Sequence, residues 1–124
     1  MAIPRITSAE LKRRMDDADA APPVIIDVRL KYPYEHSTIT LPGALRTGPG
    51  LVERSLLAPD RDIVLYDSDP EELVAERVAR DLTASGFRVF VLEGGIAQWA
   101  AAKLPIETKP APQLAVPVYG AAKG

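Results

Sequence analysis

Three short apolar runs alternate with longer mixed segments along the chain and predict the strands of an α/β sheet. The runs are "VIIDV" at 24–28, "DIVLY" at 62–66 and "RVFVL" at 88–92. They are rich in β-branched residues and show no regular polar alternation, which is typical of strands buried on both faces. Because helix-forming segments separate the runs, the pattern predicts one α/β domain with a central, mostly parallel sheet flanked by helices on both faces.

Helix signals lie on either side of these runs. Thr7 and Glu10, three residues apart, form a capping box that begins the first predicted helix. Gly86 is expected to end the second helix as its left-handed C′ residue. The three predicted helices span about 8–17, 70–85 and 94–103.

Two stretches lack a hydrophobic period. The segment 32–45 is rich in turn residues and is predicted to be an irregular connection that leads into a short strand near 45–47. The stretch 107–124 is rich in Pro, Ala and Gly and shows no periodicity. We expect it to be a mobile extension or an arm that docks on another surface.

Composition narrows the possible functions. The net charge of -2 gives no electrostatic reason to bind nucleic acid or an anionic membrane. The sequence has no cysteine, which excludes disulfides, thiolate–metal sites and cysteine nucleophiles. The N-terminus has no apolar stretch of signal-peptide length and no apolar run of membrane-spanning length follows, so we expect a cytoplasmic protein that does not insert into membranes.

The acidic loop "IVLYDSDPEE" at 63–72 joins the second predicted strand to the second predicted helix. Asp69, Pro70, Glu71 and Glu72 fit a helix start, with an N-cap, a proline at the first position and acids in the first turn. This part of the loop is therefore interpreted as helix-start chemistry.

Asp67 is different because it follows the strand directly, before Ser68. There its carboxylate should face the free N–H groups at the helix N-terminus and fill an anion site from within. A second interpretation is that Asp67 and Asp69 form the Asp-x-Asp motif of a magnesium-dependent phosphatase, although the expected lysine and later acids are missing.

Four motifs follow one another along the chain: "VIIDVR", "LPGAL", "LEGGIAQW" and "LPIE". Together they resemble the rhodanese domain, over roughly residues 5–107, with 108–124 left as a C-terminal extension. The resemblance implies a small α/β domain that transfers sulfur from an anionic donor such as thiosulfate. In that family the sulfur is carried as a persulfide on a cysteine that follows the strand matching "IVLY".

The resemblance fails at the cysteine, because Asp67 stands at that position. Against a longer family loop, Cys-x-Cys-Pro-x-Glu, Asp69 replaces the second cysteine, whereas Pro70 and Glu72 match. Sulfur transfer depends on a thiolate. Each like-charge pair about 5 Å apart would also cost about 3 kcal/mol at an effective dielectric of about 20, which opposes an anionic donor.

The chain is therefore interpreted as a rhodanese-like domain without sulfurtransferase activity. The leading hypothesis is a binding or regulatory module for a protein partner. The alternatives are the phosphatase activity of Asp67 and Asp69, and residual binding of a small anion at the loop. No cofactor and no metal are expected, and the oligomeric state stays open.

Asp27, Arg29 and Arg46 are candidates for a pocket at the ends of neighbouring strands. The alternative interpretation is structural. Arg29 would then pair with Glu35 across the turn, and Asp27 would accept backbone N–H bonds.

Other conspicuous residues have structural interpretations. His36 is the single histidine, lies outside the family's histidine position (Thr40 here), and is predicted to be an exposed loop residue. Trp99 is predicted to anchor the packing of the last helix. Gly94 and Gly95 are predicted to form the turn into that helix.

Overall fold

The computed structural model describes residues 2–50, 57–68 and 73–109 of the chain. Within these ranges the strands are β1 Arg5–Ile6, β2 Val24–Asp27, β3 Ile39–Thr40, β4 Leu45–Arg46, β5 Ile63–Tyr66, β6 Val89–Leu92 and β7 Glu107–Thr108. The helices are α1 Ser8–Asp16, α2 Lys31–His36, α3 Leu73–Ala84 and α4 Gly95–Ala101.

Five of these strands form one parallel sheet in the order β1-β6-β5-β2-β4. All four residues of the central strand β5 are buried, which explains why its sequence is apolar without alternation. The short strands β3 and β7 pair antiparallel in a second, two-stranded sheet. The predicted parallel α/β architecture is confirmed.

Successive residues of β5 face two separate cores, because side chains alternate along a strand. Ile63 and Leu65 pack with the buried face of α3. Val64 and Tyr66 pack with residues of α1 and α4, including Trp99. Helices therefore cover both faces of the sheet, as predicted.

The helix ends follow the predicted signals where the structure describes them. The Oγ1 atom of Thr7 accepts a hydrogen bond from the backbone N–H of Glu10 at 3.1 Å, whereas the carboxylate of Glu10 pairs with Arg13. At the end of α3, Gly86 has φ +98, and the N–H of Phe87 bonds to the carbonyl of Leu82 at 3.2 Å. This is the Schellman arrangement that a glycine at C′ allows.

The prediction of irregular structure for the segment 32–45 is wrong at its start. Part of this segment belongs to helix α2, in which Pro33 is the third residue. Proline is tolerated there because the N–H groups of the first turn have no partner within the helix. Glu107 and Thr108 form strand β7 although their sequence shows no period, because β3 supplies their partners. The rest of the predicted C-terminal extension, from residue 110 onward, lies outside the described residues. None of the helices in the described part of the chain has the length and apolar character needed to cross a membrane.

The contacts of β7 predict that residues 107–109 contribute to stability. A chain that ends at Ile106 loses the pairing with β3 and the bond from the N–H of Lys109 to the carbonyl of Thr38, 2.8 Å long. We expect its free energy of unfolding to fall by about 1–3 kcal/mol in urea titrations. A chain that ends at Lys109 is the matched control and should stay within about 0.5 kcal/mol of the full chain. Equal stability of the two truncated chains would contradict this assignment.

Lys103 ends α4 as a C′ residue with φ 60, a conformation that favours glycine. We expect Lys103→Gly to raise the free energy of unfolding by about 0.5–1 kcal/mol. Lys103→Ala keeps the strained backbone and serves as the control. Thermal unfolding should rank the glycine variant above the alanine variant, and the reverse order would contradict the argument.

Candidate functional site

The carboxyl ends of β2, β4 and β5 bring the predicted site residues to one edge of the sheet. Asp27 lies opposite Tyr66 on one side and opposite Arg46 on the other, and Asp67 follows Tyr66. The side chains of Asp27 and Asp67 nevertheless lie on opposite faces of the sheet. Asp27 contacts Tyr66 in the core beneath α1 and α4, whereas Asp67 contacts the first turn of α3.

Asp67 is buried, with 3% of its surface exposed. Its Oδ2 atom accepts a hydrogen bond from the backbone N–H of Ala75, the third residue of α3, at 2.9 Å. Its main-chain carbonyl accepts from the N–H of Ile96 near the start of α4 at 3.0 Å. The expectation that the helix N-terminus would receive the carboxylate is confirmed, and the helix dipole favours the negative charge there.

The remainder of the acidic loop is described only in part. Ser68 is half-buried. The predicted helix start at Asp69, Pro70, Glu71 and Glu72 lies outside the described residues. Within the described ranges no cluster of three or more His, Cys, Asp and Glu side chains is arranged to hold a metal ion.

A buried ion pair joins Asp27 to Arg29, each about 1% exposed. Nε of Arg29 donates to both carboxylate oxygens at 3.0 and 3.1 Å, and Nη2 donates to Oδ2 at 2.7 Å. The predicted pair between Arg29 and Glu35 is wrong, because residues two apart on an extended chain lie on the same side and Asp27 is therefore nearer. Asp27 does accept a backbone N–H, that of Arg29 at 3.0 Å, as expected.

The same carboxylate also binds Tyr66, whose hydroxyl donates to Oδ2 of Asp27 at 3.0 Å and accepts from the N–H of Leu41 at 3.3 Å. Burial, and then the charge of Asp27, raise the pKa of Tyr66. Burial lowers the pKa of Arg29, but its hydrogen bonds to Asp27 and the charge of that residue outweigh burial, and the pKa is raised. The tyrosine stays neutral and the arginine charged, so the network is suited to holding structure and not to moving protons.

Arg46 is the most accessible of the three predicted pocket residues, with 28% of its side chain exposed. Its Nη1 atom donates to the carbonyl of Arg29 at 2.6 Å and lies 3.5 Å from Oδ1 of Asp27. Its guanidinium carbon lies 3.9 Å from the ring centre of Tyr34, and Nζ of Lys109 lies 4.0 Å from the same centre. The predicted site residues did not include Tyr34, Tyr66 and Lys109, because only the folded chain brings these residues to this edge.

The other residues singled out in the sequence have structural positions. His36 is exposed, as predicted, but ends helix α2 instead of lying in a loop, and its ring stacks on Tyr32. Trp99 is fully buried and donates from Nε1 to the carbonyl of Pro105 at 2.8 Å, which confirms the packing anchor. Gly94, with φ 78, is the N-cap of α4, which confirms the turn.

Family comparison decides the identity of the fold. The sequence model of the rhodanese-like domain family matches residues 7–102 of this chain. The chain belongs to the rhodanese-like domain family. No curated protein matches the chain.

Solved structures share the fold of this rhodanese-like domain at low sequence identity. A full-length protein from Lactobacillus plantarum has 24% identity and a TM-score of 0.75, over 85% of this chain and 88% of its own. A rhodanese-like domain protein from Staphylococcus aureus has 21% identity and a TM-score of 0.71, over 87% and 100%. Thiosulfate sulfurtransferase from Pseudomonas aeruginosa has 24% identity and a TM-score of 0.68, over 86% of this chain but 20% of its own.

The buried ion pair predicts a large effect of removing one partner. We expect Arg29→Met to lower the free energy of unfolding of the rhodanese-like domain by about 3–5 kcal/mol, because the carboxylate of Asp27 loses its buried counter-charge. Arg77→Met, on an exposed position of α3, is the control and should change stability by less than about 0.5 kcal/mol.

Replacing both charges distinguishes the loss of the ion pair itself from the cost of leaving one charge buried alone. The double variant Asp27→Leu, Arg29→Met should be less destabilised than the sum of its single variants, because no lone charge remains buried. A loss below about 1 kcal/mol in Arg29→Met, measured by urea unfolding, would contradict the importance of the pair.

Proposed function

We propose that this rhodanese-like domain does not transfer sulfur and acts as a binding or regulatory module for a protein partner. In this proposal Asp67 occupies the position at which active relatives carry the sulfur-bearing cysteine. The observation that carries the proposal is the buried carboxylate of Asp67, which accepts a hydrogen bond from the N–H of Ala75 at 2.9 Å.

The chemistry of sulfur transfer supports the proposal. A thiolate attacks the donor and carries the sulfur as a persulfide, and a carboxylate oxygen forms no comparable carrier. The chain of 124 residues contains no cysteine that could act in its place. The negative charge of Asp67 would also repel an anionic donor that approaches the end of β5.

The surface at the carboxyl edge supports a binding role. Large apolar side chains are exposed there, with Leu30 at 46%, Tyr32 at 71% and Leu73 at 65%. Leu30 and Tyr32 follow the end of β2, and Leu73 begins the helix that follows β5. Apolar and aromatic side chains form the centre of protein interfaces, so this edge is suited to contact another protein.

A sulfurtransferase assay tests the proposal directly. The purified protein should show no thiosulfate:cyanide activity above a protein-free blank, because it lacks a thiolate. Asp67→Cys should gain a persulfide, detected as a mass increase of one sulfur atom that cyanide removes. Asp67→Ser is the matched control and should gain none.

Wild-type activity would refute the proposal if it persisted through purification and disappeared in Asp67→Asn. Failure of Asp67→Cys to take up sulfur would leave the wild-type result intact and would show that the surrounding residues no longer bind a donor.

A further inference from the structure

A groove of about 710 Å³ lies at the carboxyl edge of the sheet, between α2 and the segment that follows β4. We call it the Tyr34 groove. Its apolar lining includes Leu30, Tyr34 and Pro49, and its charged lining is Lys31, Glu35 and Arg46. The groove is separate from Asp67, whose side chain contacts the first turn of α3.

The charges around the Tyr34 groove are unbalanced. Arg29 and Asp27 neutralise each other in the buried pair. Among the described residues that line the groove, Lys31 and Arg46 then face one carboxylate, that of Glu35, because Arg46 has only a 3.5 Å contact with Asp27. The local excess of positive charge stands out on a chain whose net charge is -2.

Arg46 is held ready for an anionic group. Among the described residues, Arg46 donates hydrogen bonds only from Nη1. Its acceptors are the carbonyls of Arg29 and Asp27 and Oδ1 of Asp27. The face of Tyr34 fixes the plane of the guanidinium at 3.9 Å. Because a guanidinium binds carboxylates through two parallel N–H groups, a fixed Arg46 loses little entropy when such a group binds.

We propose that the Tyr34 groove binds an acidic, extended segment of the partner protein, with carboxylates on Arg46 and Lys31 and apolar side chains against Leu30 and Pro49. This inference rests on the binding role proposed above and names the chemistry of the partner. The chain's own residues 110–124 contain no acid and one lysine, so their charge does not fit this groove. The exposed apolar lining favours a peptide over a small free anion.

Two blocked, fluorescein-labelled octapeptides test the groove on the full chain by fluorescence anisotropy. One alternates glutamate with leucine, and the other replaces each glutamate with glutamine. The glutamate peptide should bind about tenfold more tightly at about 50 mM salt, and the difference should shrink at about 300 mM salt.

Charge reversal locates the binding site. Lys31 is exposed and forms no ion pair within the described residues, so Lys31→Glu should weaken binding of the glutamate peptide about three- to tenfold without loss of stability. Arg77→Glu makes the same charge change on an exposed position of α3 and should leave affinity unchanged.

Three results would overturn the inference: no binding of the glutamate peptide, equal effects of Lys31→Glu and Arg77→Glu, or displacement of the peptide by inorganic phosphate at similar affinity. The last result would assign the groove to small anions. The same preparations are assayed for sulfur transfer, so failure of the groove and failure of the proposed function are distinguished.

Discussion

The burial of one carboxylate, that of Asp27, constrains the whole carboxyl edge of the sheet. A buried charge is tolerated only when it is paired and hydrogen-bonded. Here the partners come from different parts of the chain: Arg29 from the end of β2 and Tyr66 from β5. Arg29 also donates to the carbonyl of Ile39 at 3.0 Å, which fixes β3 beside the sheet. The Asp27–Arg29 ion pair therefore links the ends of β2 and β5 to the segment after α2.

The second buried carboxylate, that of Asp67, acts on the other face. Its carboxylate accepts a hydrogen bond from the first turn of α3, and its main-chain carbonyl accepts one from the start of α4. The end of β5 thus contributes to the packing of two helices through a residue that carries a carboxylate in place of a thiol. A fold maintained in this way does not need a ligand at that position to hold its shape. This supports a role in which binding takes place on the surrounding surface, where the Tyr34 groove and the exposed apolar residues lie.

Local signals predicted the parts of the fold that local physics determines. The apolar runs gave the buried strands β2, β5 and β6, and Thr7 and Gly86 marked helix ends because capping depends on neighbouring residues. Helix α2 escaped prediction because its six residues have no buried face and include Pro33. Strand β7 escaped because two residues carry no period, and its pairing depends on a strand far away in sequence.

The candidate site was predictable to a similar extent. The hydrogen bond between the carboxylate of Asp67 and the start of α3 could be predicted from the sequence, because Asp67 directly follows a strand that leads into this helix. The prediction for the partner of Arg29 was wrong, although the alternation of side chains along an extended chain places Asp27 on the same side as Arg29. The cations around Tyr34 come from three separate segments, and only tertiary structure brings Arg29, Arg46 and Lys109 to one ring.

Amide hydrogen exchange at Ala75 tests the central claim most directly. The first N–H groups of a helix have no partner within it, so the protection of this amide should depend on the carboxylate of Asp67. The account predicts slow exchange at Ala75 in the wild type and much faster exchange in Asp67→Ala, while buried amides of β6 keep their protection. Equal exchange at Ala75 in the two proteins would show that Asp67 does not hold the start of α3, and would contradict the account.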